Sequence, residues 1–304
     1  MNALKLALPL LVALAYGASP ASATPILGSN LASFAVLAAT GVTSGDTGST
    51  IGGNVGSYAT PTLTGVYTFA FGSANPGTEN LAQGELTAAI LAVNAFVAPP
   101  ANVIGAGALN LEAFQASHGG VISPGTYSVA SATSNFDSTI ILDGGGSNTA
   151  QWYFQFTGTL ITGTGSNVLV QNVGDGAGVG IYWTVADAAT LNGPTFAGNV
   201  LANNTISSDG HLTVACGRLL SADKQVTLID DIISIGCTDT IVTPGGTVLL
   251  TPVVTGPGGE NVANSGGFSG AGSSSGGGTA PEPATLALLG LGLAGLALGR
   301  RRRG

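Results

Sequence analysis

The chain has 304 residues, a formal net charge of −8 and only 7% charged residues. Five of its 7 Lys and Arg residues lie at the two ends, as Lys5 and Arg300–Arg303, which leaves Arg218 and Lys224 in between. Binding to nucleic acid or to anionic lipid requires clustered positive charge, so this composition excludes both as partners of the central region.

The first 23 residues have the layout of a secretory signal peptide. Lys5 gives a positive start, an apolar run follows from Leu6 to Ala15, and Ala21-Ser22-Ala23 fits the small-x-small rule for signal peptidase. A buried apolar helix is the alternative, but it would begin at residue 4 and end in a peptidase site. We therefore predict export, with signal peptidase cleaving after Ala23.

Residues 24–255 are predicted to form one mainly β domain. Trp152, Phe154 and Phe156 alternate with Tyr153, Gln155 and Thr157, a pattern typical of half-buried strands. Residues 197–202 (AGNVLA) also align with residues 216–221 (CGRLLS), 19 positions later. Short strands with glycine corners at a period near 20 residues predict a β-solenoid, whose coils stack at about 4.8 Å.

One segment of the domain departs from the β pattern. Thr78 follows Asn75-Pro76-Gly77 and can cap a helix, and Pro99-Pro100 would end it. Six apolar residues share one helical face: Ala82, Leu86, Ala89, Ile90, Val93 and Val97. The sequence therefore predicts one helix at about residues 78–98, lying along an apolar side of the solenoid.

Cys216 and Cys237 are the two cysteines of the chain and lie about one coil apart. An oxidising compartment and stacked coils favour a disulfide between them, for which the chain-entropy model gives about 3 kcal/mol. The alternatives are a pair of free thiols and a zinc site, although no Cys or His partner lies at ligand spacing. Acidic residues near glycine-rich turns, such as Asp143, Asp175 and Asp187, are interpreted as turn residues rather than calcium ligands. We expect no metal and no cofactor.

The C-terminal region carries a linker and a second signal. Residues 256–280 are a Gly/Ser-rich flexible linker. In residues 281–304, the motif Pro281-Glu282-Pro283 precedes an uncharged apolar segment, 284–299, and an arginine tail, Arg300, Arg301, Arg302 and Arg303. A helix of that segment would be about 24 Å long, a little short of the hydrocarbon core, and the arginines would hold its end on the cytoplasmic side.

These three parts resemble the Pro-Glu-Pro sorting tail of exported Gram-negative proteins. The resemblance implies transient membrane association, cleavage by an exosortase-type enzyme near the motif, and delivery through the inner membrane and periplasm to the cell surface or the exterior. A permanent C-terminal membrane anchor is the alternative.

Motifs of the domain occur in the order found in a known family. They are Leu27-Gly28, Phe34–Ala38, Ile51–Gly56, the predicted helix, Ser123–Tyr127, Trp152–Phe156, Ile181–Val185, Ala189–Leu191 and Thr195–Ala202. Over residues 27–235 the chain resembles the microbial ice-binding proteins. The resemblance implies a discontinuous right-handed β-helix with one long α-helix packed alongside, and antifreeze-like adsorption to ice and its ordered water through a flat threonine-rich face.

The family's ice face often carries Thr-Ala/Gly-x-Thr/Asn, which residues 40–43 and 164–167 match. The candidate ice-binding residues are Thr40, Thr43, Thr157, Thr159, Thr162, Thr164, Asn167, Thr190, Asn192 and Thr195. Taken singly, an ordinary surface residue in a strand is the better explanation for each of them.

Residues 203–228 depart from the family, because they contain Arg218, Asp223, Lys224 and Gln225 where threonine is usual. If these coils belong to the ice face, charge interrupts it. The alternative function is therefore a structural or adhesive protein of the cell surface or matrix on the same scaffold, with exopolysaccharide as its partner. An enzyme is not expected, because the two central basic residues and the scattered carboxylates form no catalytic motif.

Overall fold

A computed structural model of the protein describes residues 26–236 apart from Asp46, Asp175 and Ala177, together with the backbone of three strands between Thr240 and Thr255. The predicted signal peptide, the linker and the sorting tail lie outside the described residues. Within the described part of the chain, no helix is long and apolar enough to cross a membrane.

Short parallel strands wind into a solenoid with three faces. Face 1 contains β1 (Phe34–Ala38), β4 (Asn54–Ser57), β7 (Val103–Ile104), β8 (Gly125–Val129), β10 (Gln151–Phe156) and β13 (Gly180–Val185). Face 2 contains β2 (Val42–Ser44), β5 (Leu63–Thr64), β11 (Leu160–Ile161), β14 (Ala189–Leu191), β16 (Ile206–Ser208) and β18 (Val226–Leu228). Face 3 contains β3 (Ser49–Gly52), β6 (Tyr67–Phe71), β9 (Thr139–Asp143), β12 (Asn167–Gln171) and β19 (Ile232–Ser234).

Two long strands and a C-terminal group complete the β structure. β15 (Thr195–Ala202) and β17 (Thr213–Ser221) begin on face 3 and bend into face 1, which joins these two faces into one 14-stranded sheet, whereas face 2 is a separate 6-stranded sheet. β20 (Thr240–Thr243) and β21 (Gly246–Leu249) form an antiparallel pair, and β22 (Val254–Thr255) pairs with β12.

The solenoid is discontinuous in sequence. The N-terminal coil, β1 to β3, stacks in parallel on the last coil of the repeat, with Val36 beside Leu219, Val42 beside Val226 and Ile51 beside Ile233. The chain then restarts at the far end with β7 and winds back toward that last coil. The fold is therefore the discontinuous β-helix that the resemblance implied.

Side chains at equivalent repeat positions fill the interior. Val200 lies directly beside Leu219, so the 19-residue repeat predicted from sequence is one coil of the solenoid. Trp152, Phe154 and Trp183 are fully buried, and the rings of Phe154 and Trp183 stack with centroids 4.1 Å apart. Alternating exposure along β10 confirms the period-two pattern predicted there.

Two α-helices interrupt the strands: α1 (Glu79–Asn94) and α2 (Asn110–Ser117). α1 buries one side against outward-pointing residues of face 1, including Leu37, Tyr182 and Leu220. It is shorter than the predicted 78–98, because the amide of Gln155 donates hydrogen bonds to the carbonyl oxygens of Val93 and Phe96 and closes the helix there. Face 1 is therefore covered by the helix, as predicted, while α2 was not predicted.

Cys216 is fully buried at the corner between faces 3 and 1 and is disulfide-bonded. Cys237, the other cysteine of the chain, lies outside the described residues, so its pairing with Cys216 stays a prediction.

Candidate functional site

Face 2 presents one outward side chain from each of its strands. In β2, Thr43 is exposed between buried Val42 and buried Ser44, and β14, β16 and β18 repeat this alternation. In stacking order the outward residues are Thr64, Thr43, Thr227, Ser207, Thr190 and Ile161, each paired in register with the next. We call this row the face 2 ladder; five hydroxyl side chains follow one another in it at about 4.8 Å.

A second row lies two residues earlier along the chain, in the turns that precede the face 2 strands, and all its members except buried Gly41 are exposed or partly exposed. In extended backbone such positions are about 6.7 Å apart. The row consists of Thr62, Gly41, Gln225, Thr205, Ala188 and Thr159. Gly41 has φ +139°, and a Cβ there would lie 3.3 Å from the carbonyl oxygen of Thr62, so a side chain at this position would be strained. Most side chains in this row are short, and that of Gln225 is the longest.

Arg218 does not interrupt face 2. It lies on face 1 beneath the N-terminal segment, 2% exposed, and its guanidinium donates hydrogen bonds to Asn199 Oδ1 and to the carbonyl oxygen of Ala32. Burial lowers the pKa of Arg218 to about 10, so it is still a cation at neutral pH. This residue holds the N-terminal segment on the last coils and contributes no charge to the outer surface of face 2.

The other charged residues of these coils lie at the corners of the solenoid. Asp223 and Lys224 are exposed in the turn between β17 and β18, which joins faces 1 and 2. At the opposite corner, the His211 ring lies 3.1 Å from the carboxylate of Asp230. Face 2 is therefore an uncharged strip with charged borders, and the interruption predicted from sequence is confined to its edges and to Gln225.

Asp231 is buried beneath the face 2 ladder and is hydrogen-bonded to residues at the ends of its strands. It is 1% exposed and accepts hydrogen bonds from the Ser208 hydroxyl and from the backbone N–H groups of Leu212 and Ile229. Burial raises the pKa of Asp231 to about 6, and these hydrogen bonds only partly offset that effect. The carboxylate connects the ends of β16 and β18 with the start of β17.

The predicted candidates separate into several groups. Thr43 and Thr190 are members of the face 2 ladder and Thr159 belongs to the row beside it. The remaining exposed or partly exposed candidates lie elsewhere, with Thr40 and Thr157 at the corner of faces 1 and 2, Thr164 and Asn192 at the corner of faces 2 and 3, and Asn167 and Thr195 on face 3.

Thr162, also a predicted candidate, does not reach the surface. It is 1% exposed, and its hydroxyl accepts a hydrogen bond from the backbone N–H of Asn192. Conversely, Thr64, Ser207 and Thr227 lie on the face 2 ladder but are not among the candidates predicted from sequence. The signal was available for Thr227, because Val226-Thr227-Leu228 places a threonine between two buried aliphatic residues, as at Thr190.

In the described part of the chain, no group of three or more His, Cys, Asp or Glu side chains could hold a metal ion. The feature that the described coils provide is a rigid periodic surface. Such an arrangement is suited to adsorption on another periodic surface.

Comparison with known proteins identifies two matching families. The model of the family described as Ice-binding-like matches residues 36–234. The model of the PEP-CTERM protein-sorting motif matches residues 279–303. An "Ice-binding protein" of Nostoc sp. (strain HG1) is 30% identical over 117 residues, which make up 38% of this chain and 42% of that relative.

Solved structures share the fold. An ice-binding protein from an Antarctic biological consortium superposes with a TM-score of 0.56 at 24% identity, over 75% of this chain and 96% of its own. An ice-binding protein of the Antarctic ascomycete Antarctomyces psychrotrophicus gives a TM-score of 0.56 at 26% identity, over 68% of this chain and 96% of its own.

Proposed function

The chain belongs to the Ice-binding-like family, and on this premise we propose that it adsorbs to ice through face 2. The observation that carries the proposal is the face 2 ladder, in which Thr64, Thr43, Thr227, Ser207 and Thr190 follow one another in register and are exposed or partly exposed. The match to the PEP-CTERM motif indicates export to the surface or exterior of a Gram-negative cell. Ice outside the cell is then the surface that the protein meets.

Threonine suits this task for a physical reason. Its χ1 angle is restricted, so the methyl and hydroxyl groups of successive threonines point the same way. Equivalent residues on neighbouring coils are about 4.8 Å apart, and positions two residues apart along a strand are about 6.7 Å apart. Together these spacings form a rectangular array of such groups. The array can hold water in positions that continue into a crystal, and long charged side chains would disturb that water.

The alternative function, an adhesive or matrix protein, is favoured by one feature of the same face. Ile161 ends the row of hydroxyl groups and Gln225 stands above the row beside it. An extracellular polysaccharide is less demanding of regularity than an ice lattice, so these two residues would matter less for that partner.

Replacing Thr190 with Tyr tests the proposal. The ring would stand above the row between Ser207 and Ile161 and hold the remaining threonines away from a flat surface. We expect the potency in an ice-recrystallisation assay to fall by at least about tenfold, which corresponds to about 1.4 kcal/mol of lost contact free energy. Circular dichroism would establish that the fold is retained.

The matched control is Thr87→Tyr, because Thr87 is an exposed threonine on α1, next to face 1. This variant should keep the potency of the parent protein. If the parent protein has no effect on recrystallisation at micromolar concentration while folded, ice binding is refuted and the adhesive function is favoured.

A further inference from the structure

Face 3 carries a second ladder, which the proposed function does not use. Its outward residues, in stacking order, are Thr68, Thr50, Ile232, Thr213, Thr195, Asn167 and Thr139, and each is paired in register with the next. We call this row the face 3 ladder. Its strands belong to seven successive coils, and five of its seven members are threonines.

Part of the face 3 ladder is accessible. Thr195 is exposed, and Thr139, Asn167 and Thr213 are partly exposed. By contrast, Thr50 is only 4% exposed, and β20 lies in contact with β3 and β6 at that end of the face. The accessible strip therefore covers four coils, from Thr213 to Thr139.

Neighbouring groups of this strip are already held in register. The Thr195 hydroxyl donates a hydrogen bond of 2.9 Å to Asn167 Oδ1 on the adjacent coil. Asn167 also donates from its amide to the carbonyl oxygen of Gly165, which fixes the orientation of its side chain. Rotamers held in this way lose little entropy when a surface binds them.

The row beside the face 3 ladder differs from the one on face 2. Two residues further along each strand, the corresponding positions are Ile141 and Leu169, which are partly exposed, and Ala197 and Ala215, which are buried. Over β9 and β12, face 3 therefore places an accessible aliphatic row beside its polar row, whereas face 2 places two mainly polar rows side by side. The two faces share the coil spacing of about 4.8 Å but offer different groups across it.

We propose that the strip from Thr213 to Thr139 is a second ice-adsorbing surface that contacts a different crystal plane from face 2. This inference rests on the proposed function, because it assigns a second site for the same ligand. The two faces meet at the corner that carries Thr164 and Asn192, and they point in different directions. One flat plane cannot touch both at once, and their different side-chain rows fit different arrangements of lattice oxygens.

The test is to grow a single crystal of ice in the presence of the fluorescently labelled full chain and to observe which planes become labelled. The variants are Thr195→Tyr on face 3, Thr190→Tyr on face 2, and the two combined. We expect the parent protein to label two sets of planes, each single variant to lose one set, and the double variant to label neither. Thr87→Tyr, on α1, is the control and should label both sets.

If Thr195→Tyr labels the same planes as the parent protein while Thr190→Tyr loses all labelling, the second site is refuted and the proposed function stands. If the parent protein labels no plane, both proposals fail. Thr213→Tyr, one coil away on the same strip, should reproduce the result for Thr195→Tyr, which separates loss of the surface from a local folding defect. Thermal unfolding of each variant reports on the fold.

Discussion

Asp231 couples the stability of the last coils to pH. Its pKa is raised from 3.8 to about 6 by burial, so the folded protein binds this proton more tightly than the unfolded chain does. The stabilisation is complete below the unfolded pKa and is lost as the pH rises through about 6. We expect the melting temperature to be higher at pH 5 than at pH 7.5, and Asp231→Asn to reduce that difference, as measured by circular dichroism.

Asp143 provides a control of opposite sign. Burial alone would raise the pKa of its carboxyl, but hydrogen bonds from the Gly145 N–H and from the amides of Gln171 and Asn172 outweigh burial and lower it. Its contribution is therefore present above the unfolded pKa and is lost only in more acidic solution. Asp143→Asn should keep the difference between pH 5 and pH 7.5. A melting temperature that rises toward pH 7.5 in the parent protein would contradict the role given to Asp231.

Individual residues show which parts of the candidate site can be predicted from the sequence. Thr190 is identifiable because buried Ala189 and Leu191 flank it. In Leu160-Ile161-Thr162, the strand places the isoleucine outside and the threonine inside, and the interior tolerates Thr162 because its hydroxyl is hydrogen-bonded. A slip of one residue reverses the two faces of a strand, and the local sequence contains nothing that fixes this register.

Among the elements, α2 closes the end of the solenoid. The Gln115 amide donates to the carbonyl oxygen of Thr139, and its Oε1 accepts from the N–H of Ile141, so one side chain takes the place of a missing strand beside β9. Asn110 similarly donates to the carbonyl oxygens of Gly105 and Ala130. Open strand edges promote aggregation, and these side chains occupy part of the edge.

Gln115→Leu tests this capping role. The substitution leaves two backbone groups of β9 without these partners, which costs about 1–3 kcal/mol for each group that stays buried. We expect a lower urea midpoint and faster hydrogen exchange at the Ile141 amide. Ala113→Ser, on the exposed side of the same helix, should change neither quantity. Unchanged exchange at Ile141 in Gln115→Leu would refute the capping role.

The two helices differ in how well the sequence predicts them. α1 is long enough for several apolar residues to mark one face. Five of the six residues predicted there, from Ala82 to Val93, are buried, whereas Val97 lies beyond the end of the helix and is 87% exposed. α2 has only 8 residues, too few for a clear period, and its role depends on side chains that reach the distant strand β9. Local patterning therefore predicts the element that packs through its own repeat, and not the one defined by long-range hydrogen bonds.

At the scale of the molecule, the N-terminal coils complete the solenoid. They cover the open edge of the last coil, and the hydroxyl of Ser49 accepts a hydrogen bond from the backbone N–H of Asp231. A chain that begins at Thr78 would expose β17, β18 and β19 along that edge. We expect it to aggregate or to melt at a much lower temperature than the parent protein, measured by light scattering and circular dichroism.

Adding residues 26–77 as a separate chain should restore part of the melting temperature, because the pairing is between surfaces and does not require covalent connection. A chain that begins at Thr78 and melts like the parent protein would show that the N-terminal coils are dispensable. The repeat within residues 197–221 predicts the coil between β15 and β17, whereas the coil between β10 and β13 is longer, with Gln151 beside Gly180. Only the family resemblance indicated that the first strands join the last ones. Pairing between strands so far apart in sequence leaves no local pattern.

Because the first strands pair with the last coil, part of the fold can form only after most of the chain has been synthesised. Thr43 reaches its place in the face 2 ladder only when Thr227 is available on the next coil. Ser49 and Asp231 are 182 residues apart, a stretch that takes roughly 10–35 s to synthesise at about 5–20 residues per second. During that interval β1 to β3 can pair only with β4 to β6, and the edge that meets β17 to β19 stays open. The strands made first are thus among the last to have neighbours on both sides, and face 2 is continuous only in a finished molecule.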